Sequence, residues 1–200
     1  MDLALVALVF GTIFVVELPD KTFIAALVLS TRYKPLAVWV GVGLAFFVQT
    51  LIAVLAGHLA TYLPEVLVRS VALVIFLVGA VVLFRSAPGA DEEEKQTEEE
   101  YAGKATDART GLKAVAASCL VLFAAEWGDL SQLLTISMIA KYGHPVSVFV
   151  GAWAALLTVS GLAVLAGRFL LGYIKLSTVH YVGSVVCLVL AGVTAFELFG

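Results

Sequence analysis

Six long apolar runs divide this 200-residue chain, and they constrain its fold more than any other feature. Most of them reach the ~20 residues that a helix needs to cross a bilayer. Only helices satisfy the backbone polar groups of such runs in lipid, so we predict an all-α integral membrane protein with six transmembrane helices. The mean hydropathy of +1.05 exceeds what a soluble core requires. The runs cover residues 3–29, 36–59, 66–84, 112–140, 146–166 and 177–199.

The first and fourth runs are too long for a straight crossing. They hold 27 and 29 residues. At ~1.5 Å per residue each would be roughly 40 Å long, against a ~30 Å hydrocarbon core. Both must therefore tilt, kink or break. Pro19 and Gly128 favour a break in these runs, because proline removes a helix donor and glycine is a weak helix former. Such a break would free backbone carbonyls as ligands; a simple packing kink is the alternative.

A polar segment at 86–110 separates the third and fourth runs. It holds eight acidic and three basic residues. We interpret it as a solvated tether, with a cation-attracting or regulatory role as the alternative.

The distribution of lysine and arginine predicts the orientation. Nine of these residues lie in the loops on the side of this linker and two lie on the other side. The positive-inside rule then puts the acidic linker in the cytoplasm and both termini outside, in the cell (cytoplasmic) membrane. The start Met1-Asp2 lacks a basic region, so we expect no cleaved signal peptide.

The second half of the chain repeats the first after a shift of 109 residues. The stretch "ELPDKTFIAALVLSTRYKP" at 17–35 aligns with "EWGDLSQLLTISMIAKYGHP" at 126–145. Three helices per repeat is an odd number, so the second repeat enters the membrane from the opposite side. Inverted repeats are typical of secondary transporters, whose ligand site lies at the repeat interface. We predict a first three-helix repeat at 1–85, a linker at 86–110 and a second repeat at 111–200.

Each repeat carries two acidic residues near the middle of its first run, Glu17 with Asp20 and Glu126 with Asp129. Residues three apart share a helix face, so we expect each pair to point the same way. A charge at a helix centre in the membrane costs ~2.5–3.5 kcal/mol, which indicates a functional site. Internal pairing, for instance of Glu17 with Lys21, is the structural alternative, but one lysine cannot neutralise four acids.

Four facing carboxylates would form a hard, oxygen-rich site suited to Mg²⁺, Ca²⁺ or Mn²⁺. Thr22, Ser131 and Gln132 can add neutral oxygens, and Gln49 is a candidate for a near-ligand or an interhelical hydrogen bond. Neither motif contains Cys or His, which argues against Zn²⁺ and Cu⁺. Crowded carboxylates bind protons as well as cations. Competition between cation and proton for one site is what an antiporter needs.

The motifs "ELPDKT" and "EWGDLSQ" resemble the E-x-G-D-[KR]-[ST] signature of uncharacterised protein family sixteen. That family includes Golgi calcium/manganese–proton exchangers and bacterial manganese exporters. The resemblance implies exchange of Mn²⁺ or Ca²⁺ for protons, with hydroxyl and amide positions at Thr22, Ser131 and Gln132. It implies these metal ligands: Glu17, Asp20, Glu126 and Asp129. Pro19 replaces the motif glycine, and Leu130 replaces the second basic residue, which leaves the site one charge more negative.

We therefore expect a secondary active transporter that exports Mn²⁺, with Ca²⁺ as the other candidate, in exchange for protons by alternating access. We expect no enzymatic activity, no permanently bound cofactor and no nucleic-acid partner; the metal ion, protons and the bilayer are its partners. An exporter of organic cations or amino acids and an intramembrane carboxylate hydrolase are the alternatives. The sequence does not specify the oligomeric state.

Overall fold

The computed structural model describes residues 1–18, 20–60, 62–104, 111–173 and 176–199, and every element within these ranges is helical. The helices are α1 (Leu3–Glu17), α2 (Lys21–Arg32), α3 (Pro35–Ala60), α4 (Glu65–Ser86), α5 (Ala90–Lys104), α6 (Leu112–Ala125), α7 (Leu130–Tyr142), α8 (Pro145–Tyr173) and α9 (Leu176–Phe199), with a 3₁₀ turn at Ala87–Gly89. The prediction of an all-α membrane protein is confirmed.

Four helices, α3, α4, α8 and α9, are long and apolar enough to cross a membrane. Two further spans result if each bent pair counts as one. The pair α1 and α2 is bent by 70°, and the pair α6 and α7 by 72°. The first and fourth apolar runs are therefore each broken into two helices, which is one of the three arrangements that we predicted from their length.

The break in the second half of the chain lies at the predicted glycine. Gly128 has φ +79°, a conformation that side-chain-bearing residues rarely adopt. It separates Ala125, the last residue of α6, from Leu130, the first residue of α7. Its counterpart Pro19, for which we predicted the same effect, lies outside the described residues.

Helices from the first half of the chain pack against helices from the second half. Helix α1 packs on α8 as α6 packs on α3, while α3 contacts α8 and α4 contacts α9. At the α3–α8 crossing, the Trp39 indole donates to the carbonyl of Leu157 at 3.0 Å, and the Trp153 indole donates to the carbonyl of Gly43 at 3.1 Å. These bonds satisfy polar groups where water is absent and fix the long helices beside the broken ones.

Glycines allow the broken helices to approach the long ones at equivalent places. A Cβ at Gly151 of α8 would lie 2.7 Å from the carbonyl oxygen of Val6 in α1. A Cβ at Gly41 of α3 would collide with the carbonyl oxygen of Val115 in α6. Small residues at helix contacts are the usual means of close packing in membranes.

The outer surface of the bundle is apolar. Large hydrophobic side chains on α3, α4, α8 and α9 point away from the core, among them Leu55, Val78, Leu165 and Val189. A belt of this kind faces lipid in a membrane protein, where apolar exposure carries no cost.

The acidic linker differs from the sequence prediction. Residues 90–104 form α5, which packs along α2, so the prediction of a solvated tether is wrong for this part. Thr97 and Tyr101 lie four residues apart on one face and are only 8% and 5% exposed. That spacing places both on one side of a helix, which gives an otherwise charged segment a face to bury. Residues 105–110 of the linker lie outside the described part of the chain.

Candidate metal centre

The two helix breaks bring four carboxylates together. One oxygen from each carboxylate lies within 4.8 Å of the other three, in a group made by Glu17, Asp20, Glu126 and Asp129. Glu17 is fully buried and Glu126 is 3% exposed, whereas the two aspartates are half-buried. Two oxygens on opposite sides of one Ca²⁺ ion are about 4.6–5.2 Å apart, so this spacing suits coordination of a single divalent cation.

The acids of each pair converge for a different reason from the one predicted. Glu17 is the last residue of α1 and Asp20 is the N-cap of α2, so no continuous helix places them on one face. The prediction of a shared helix face is therefore wrong. A tight turn folds the chain back instead, with the Asp20 amide donating to the Glu17 carbonyl at 3.0 Å and the Asp129 amide donating to that of Glu126 at 3.2 Å.

Two helix N-termini point at the cluster. Helices α2 and α7 begin immediately after Asp20 and Asp129, and the Asp129 Oδ2 accepts a hydrogen bond from the Ser131 amide at 3.3 Å. Each N-terminus carries roughly half a positive charge, which stabilises nearby carboxylates. The breaks thus bring the four carboxylates together and supply part of the positive field that stabilises their negative charge.

One carboxylate oxygen of Glu17 accepts a side-chain hydrogen bond, and the other is buried without one. The Thr22 hydroxyl donates to Glu17 Oε2 at 2.9 Å. Glu17 Oε1 is buried and has no hydrogen-bond partner within the described residues. A buried acceptor of this kind is costly unless a ligand or proton satisfies it.

The side chains of Gln132 and Gln49, the two predicted amide ligands, form hydrogen bonds to the backbone of the broken helix. Gln132 Oε1 accepts from the Gly128 amide at 2.9 Å, because the break leaves that donor without a helical acceptor. The Gln49 amide donates to the Phe123 carbonyl at 2.6 Å, near the end of α6. Both glutamines line a small cavity that also touches Glu126 and Ser131, so they lie beside the cluster.

A larger cavity of about 150 Å³ reaches the cluster from the side of the bundle where α5 lies. Asp20, Asp129 and Leu130 are among the residues that line it. Lys21 is exposed and also lines this cavity. We call this side, where α2, α4 and α8 end, the linker side.

Sequence reasoning missed the contribution of α5 to this cavity. Thr97 lines it, and Tyr101 is buried one helical turn further on. The four-residue spacing of two uncharged side chains in an acidic segment was the available signal.

The aromatic residue within the motifs does not contribute to the cluster. Trp127 is 63% exposed and contacts Phe123, with their ring centroids 5.4 Å apart. A site for organic cations is usually an aromatic cage, so this placement gives the organic-cation alternative no support.

An all-α membrane fold with two broken helices meeting at buried acids defines a class, the secondary transporters with discontinuous helices. The particular family follows from comparison with known proteins. The chain belongs to the divalent cation/proton antiporter GDT1 family, whose model matches residues 5–91 and 114–200. This confirms the family resemblance, and the family is one of transporters rather than enzymes.

Curated relatives agree with this assignment. The chain is 33% identical over 207 residues to protein PAM71, chloroplastic, of Arabidopsis thaliana, covering 94% of this chain and 56% of that protein. It is 32% identical over 179 residues to GDT1-like protein sll0615 of Synechocystis, covering 86% of each. The chain thus spans little more than half the length of its Arabidopsis relative. No solved structure matches the chain.

Proposed function

We propose that this protein exchanges a divalent cation for protons at the carboxylate cluster, with Mn²⁺ as the preferred ion and Ca²⁺ as the second candidate. The observation that carries the proposal is the group of four carboxylate oxygens within 4.8 Å of one another at the meeting point of two broken helices. The family description, a divalent cation/proton antiporter, supports the same chemistry.

The charge of the cluster explains the coupling. Four carboxylates this close together in a low-dielectric interior need positive charge, and either a divalent cation or protons supply it. The open oxygen of Glu17 gives the cation a place to bind and the proton a place to return. Because both ligands use the same oxygens, binding of one releases the other.

The ligand chemistry limits the choice of ion. All four groups offer hard oxygen, which suits Mn²⁺, Ca²⁺ and Mg²⁺ rather than ions that prefer sulfur or nitrogen. The ligand set therefore supports Mn²⁺ and Ca²⁺ equally, and the preference for Mn²⁺ rests on the sequence resemblance to bacterial manganese exporters.

Alternating access by two inverted repeats, 1–85 and 111–200, would expose the cluster to each side in turn. The lysine and arginine count supports a cytoplasmic linker in the cell membrane, so the linker side is the side from which the cation leaves the cytoplasm. Moving a 2+ ion outward against 100 mV costs ~4.6 kcal/mol, and exchange for two protons removes this electrical cost.

Flux measurements in liposomes test the proposal. Purified protein in vesicles with an imposed pH gradient should move Mn²⁺, Ca²⁺ or both, and the flux should collapse when the gradient is dissipated. Glu17→Gln and Glu126→Gln should abolish it, whereas Glu99→Gln, which neutralises an exposed acid on α5, should not. Full flux in either site variant would overturn the site, and pH-independent flux would overturn the exchange.

Orientation has its own test. In a Cys119→Ala, Cys187→Ala background, a Gln96→Cys variant puts a thiol on the exposed face of α5. An impermeant maleimide added to intact cells should leave it unlabelled and should label it after the membrane is opened. Labelling in intact cells would put the linker outside.

A further inference from the structure

The most unusual surface in the bundle is the buried face of the acidic linker helix. Helix α5 is the most polar helix of the described chain, yet it packs along α2, the helix that begins at the carboxylate cluster. Thr97 and Tyr101 turn inward, 8% and 5% exposed, while Gln96 and Glu99 face outward. A segment that only connected two repeats would not need to bury one face against the site.

The inward face of α5 forms part of the wall of the cavity that reaches the carboxylates. Thr97 lines this cavity together with Asp20 and Asp129. Ser86 and His180, at the linker-side ends of α4 and α9, complete the rim, and the Ser86 hydroxyl lies 3.0 Å from His180 Nδ1. The path from the linker side to the cluster therefore passes α5.

Tyr101 is buried as an uncharged side chain. Burial, with smaller contributions from the negative charges of Glu100, Glu126 and Asp20, raises the pKa of Tyr101 to about 12. Its hydroxyl thus stays protonated and uncharged at physiological pH.

We propose that α5 is the linker-side gate of the carboxylate site and that the buried ring of Tyr101 holds α5 in the position that narrows the cavity. While the Tyr101 ring is buried, α5 stays packed on α2 and Thr97 narrows the cavity between the cluster and the linker side. The cavity widens when α5 leaves α2. This gate deepens the proposed exchange function and rests on it for its purpose.

Access of a reagent to the site carboxylates tests the gate without any transport. Protein in lipid nanodiscs is treated with a water-soluble carbodiimide and an amine, and the rate at which Asp20 and Asp129 become amides is followed by mass spectrometry. Tyr101→Ala should speed this labelling on the order of tenfold, because truncating a buried aromatic side chain shifts a local opening equilibrium by at least that factor. Tyr101→Phe, which keeps the ring, should label close to the wild-type rate.

Matched variants keep the result decisive. Gln96→Ala changes an exposed side chain of the same helix and should leave the labelling rate unchanged. Tyr101→Leu, with an intermediate volume, should label at an intermediate rate and serves if the alanine variant does not fold. Equal rates in the tyrosine series, or an equal increase in Gln96→Ala, would overturn the gate. A protein that shows the graded rates but moves no cation would overturn the exchange function and leave the gate intact.

Discussion

The hydroxyl of Thr22 donates a 2.9 Å hydrogen bond to Glu17 Oε2 across the break between α1 and α2. The bond joins the end of one half-helix to the start of the next and leaves Glu17 Oε1 as the buried oxygen open to a ligand. A neutral side chain thus helps to orient the most buried acid in the cluster.

Thr22→Val should weaken binding of Mn²⁺ by about tenfold, because a hydrogen bond to a charged group contributes ~1.5–3 kcal/mol and Glu17 would lose its fixed orientation. Titration of the purified protein with Mn²⁺, followed by electron paramagnetic resonance, measures this. The control is Thr12→Val, which removes a buried hydroxyl bonded within α1 to the Leu8 carbonyl at 2.9 Å. Equal weakening in both variants would contradict a specific role for Thr22.

Leu130→Lys should lower the affinity for divalent cations by roughly tenfold or more, since a positive charge a few ångströms from the cluster opposes a cation by ~1–3 kcal/mol at intermediate dielectric. Leu130 lines the cavity with Asp20 and Asp129, at the position where Lys21 stands in the first repeat. Leu130→Met keeps the volume without the charge and should bind as the wild type does. Calorimetric titration of the two variants separates charge from size, and identical affinities would refute the electrostatic argument.

Gly151→Ala should destabilise the protein by ~1–3 kcal/mol, because the new methyl group would lie 2.7 Å from the Val6 carbonyl and force α8 away from α1. The matched control is Gly11→Ala on α1, where a Cβ meets no atom within 4 Å. That change should be neutral or stabilising, since alanine favours a helix over glycine by ~1 kcal/mol. Thermal unfolding in detergent measures both, and a Gly151→Ala midpoint at or above that of the wild type would contradict the close packing.

Glu197→Gln should destabilise the protein more than the double variant Lys141→Met, Glu197→Gln does. Lys141 Nζ lies 3.3 Å from Glu197 Oε2 and donates to the Thr194 hydroxyl at 3.1 Å, and its side chain is only 3% exposed. Removing the acid alone leaves a buried ammonium with weaker compensation, at a cost of ~1–3 kcal/mol. Thermal unfolding of both variants checks this order; a double variant less stable than Glu197→Gln would show that Lys141 does not need the acid.

The class of fold and the acids of the site could be predicted from the sequence. The backbone conformation between the two acids of each pair could not. The length of the apolar runs was enough to predict six spans, two of them too long for a straight crossing. The repeated "E-x-x-D" pairs were enough to predict the four acids of the site. The i, i+3 argument for Glu17 and Asp20 was wrong because it assumes an unbroken helix. Once the helix breaks, Gln132 is needed as an acceptor for the Gly128 amide, a role that spacing alone does not reveal.

The contribution of the linker was also hidden from the sequence. Composition predicted a solvated segment because α5 is dominated by acids, and composition averages over helix faces. The two residues that matter, Thr97 and Tyr101, occupy one face, and burial of that face depends on α2 being in place. A contact of this kind is a property of the assembled bundle.

The division of the carboxylates, two from each half of the chain, has a consequence for the origin of the molecule. Neither half alone holds the four carboxylates, so we expect a single half to form such a group only as a pair of copies. In the present chain the two halves are joined covalently and differ in sequence. Lys21 and Leu130 now stand at equivalent positions with different charge, a difference that a pair of identical subunits could not carry.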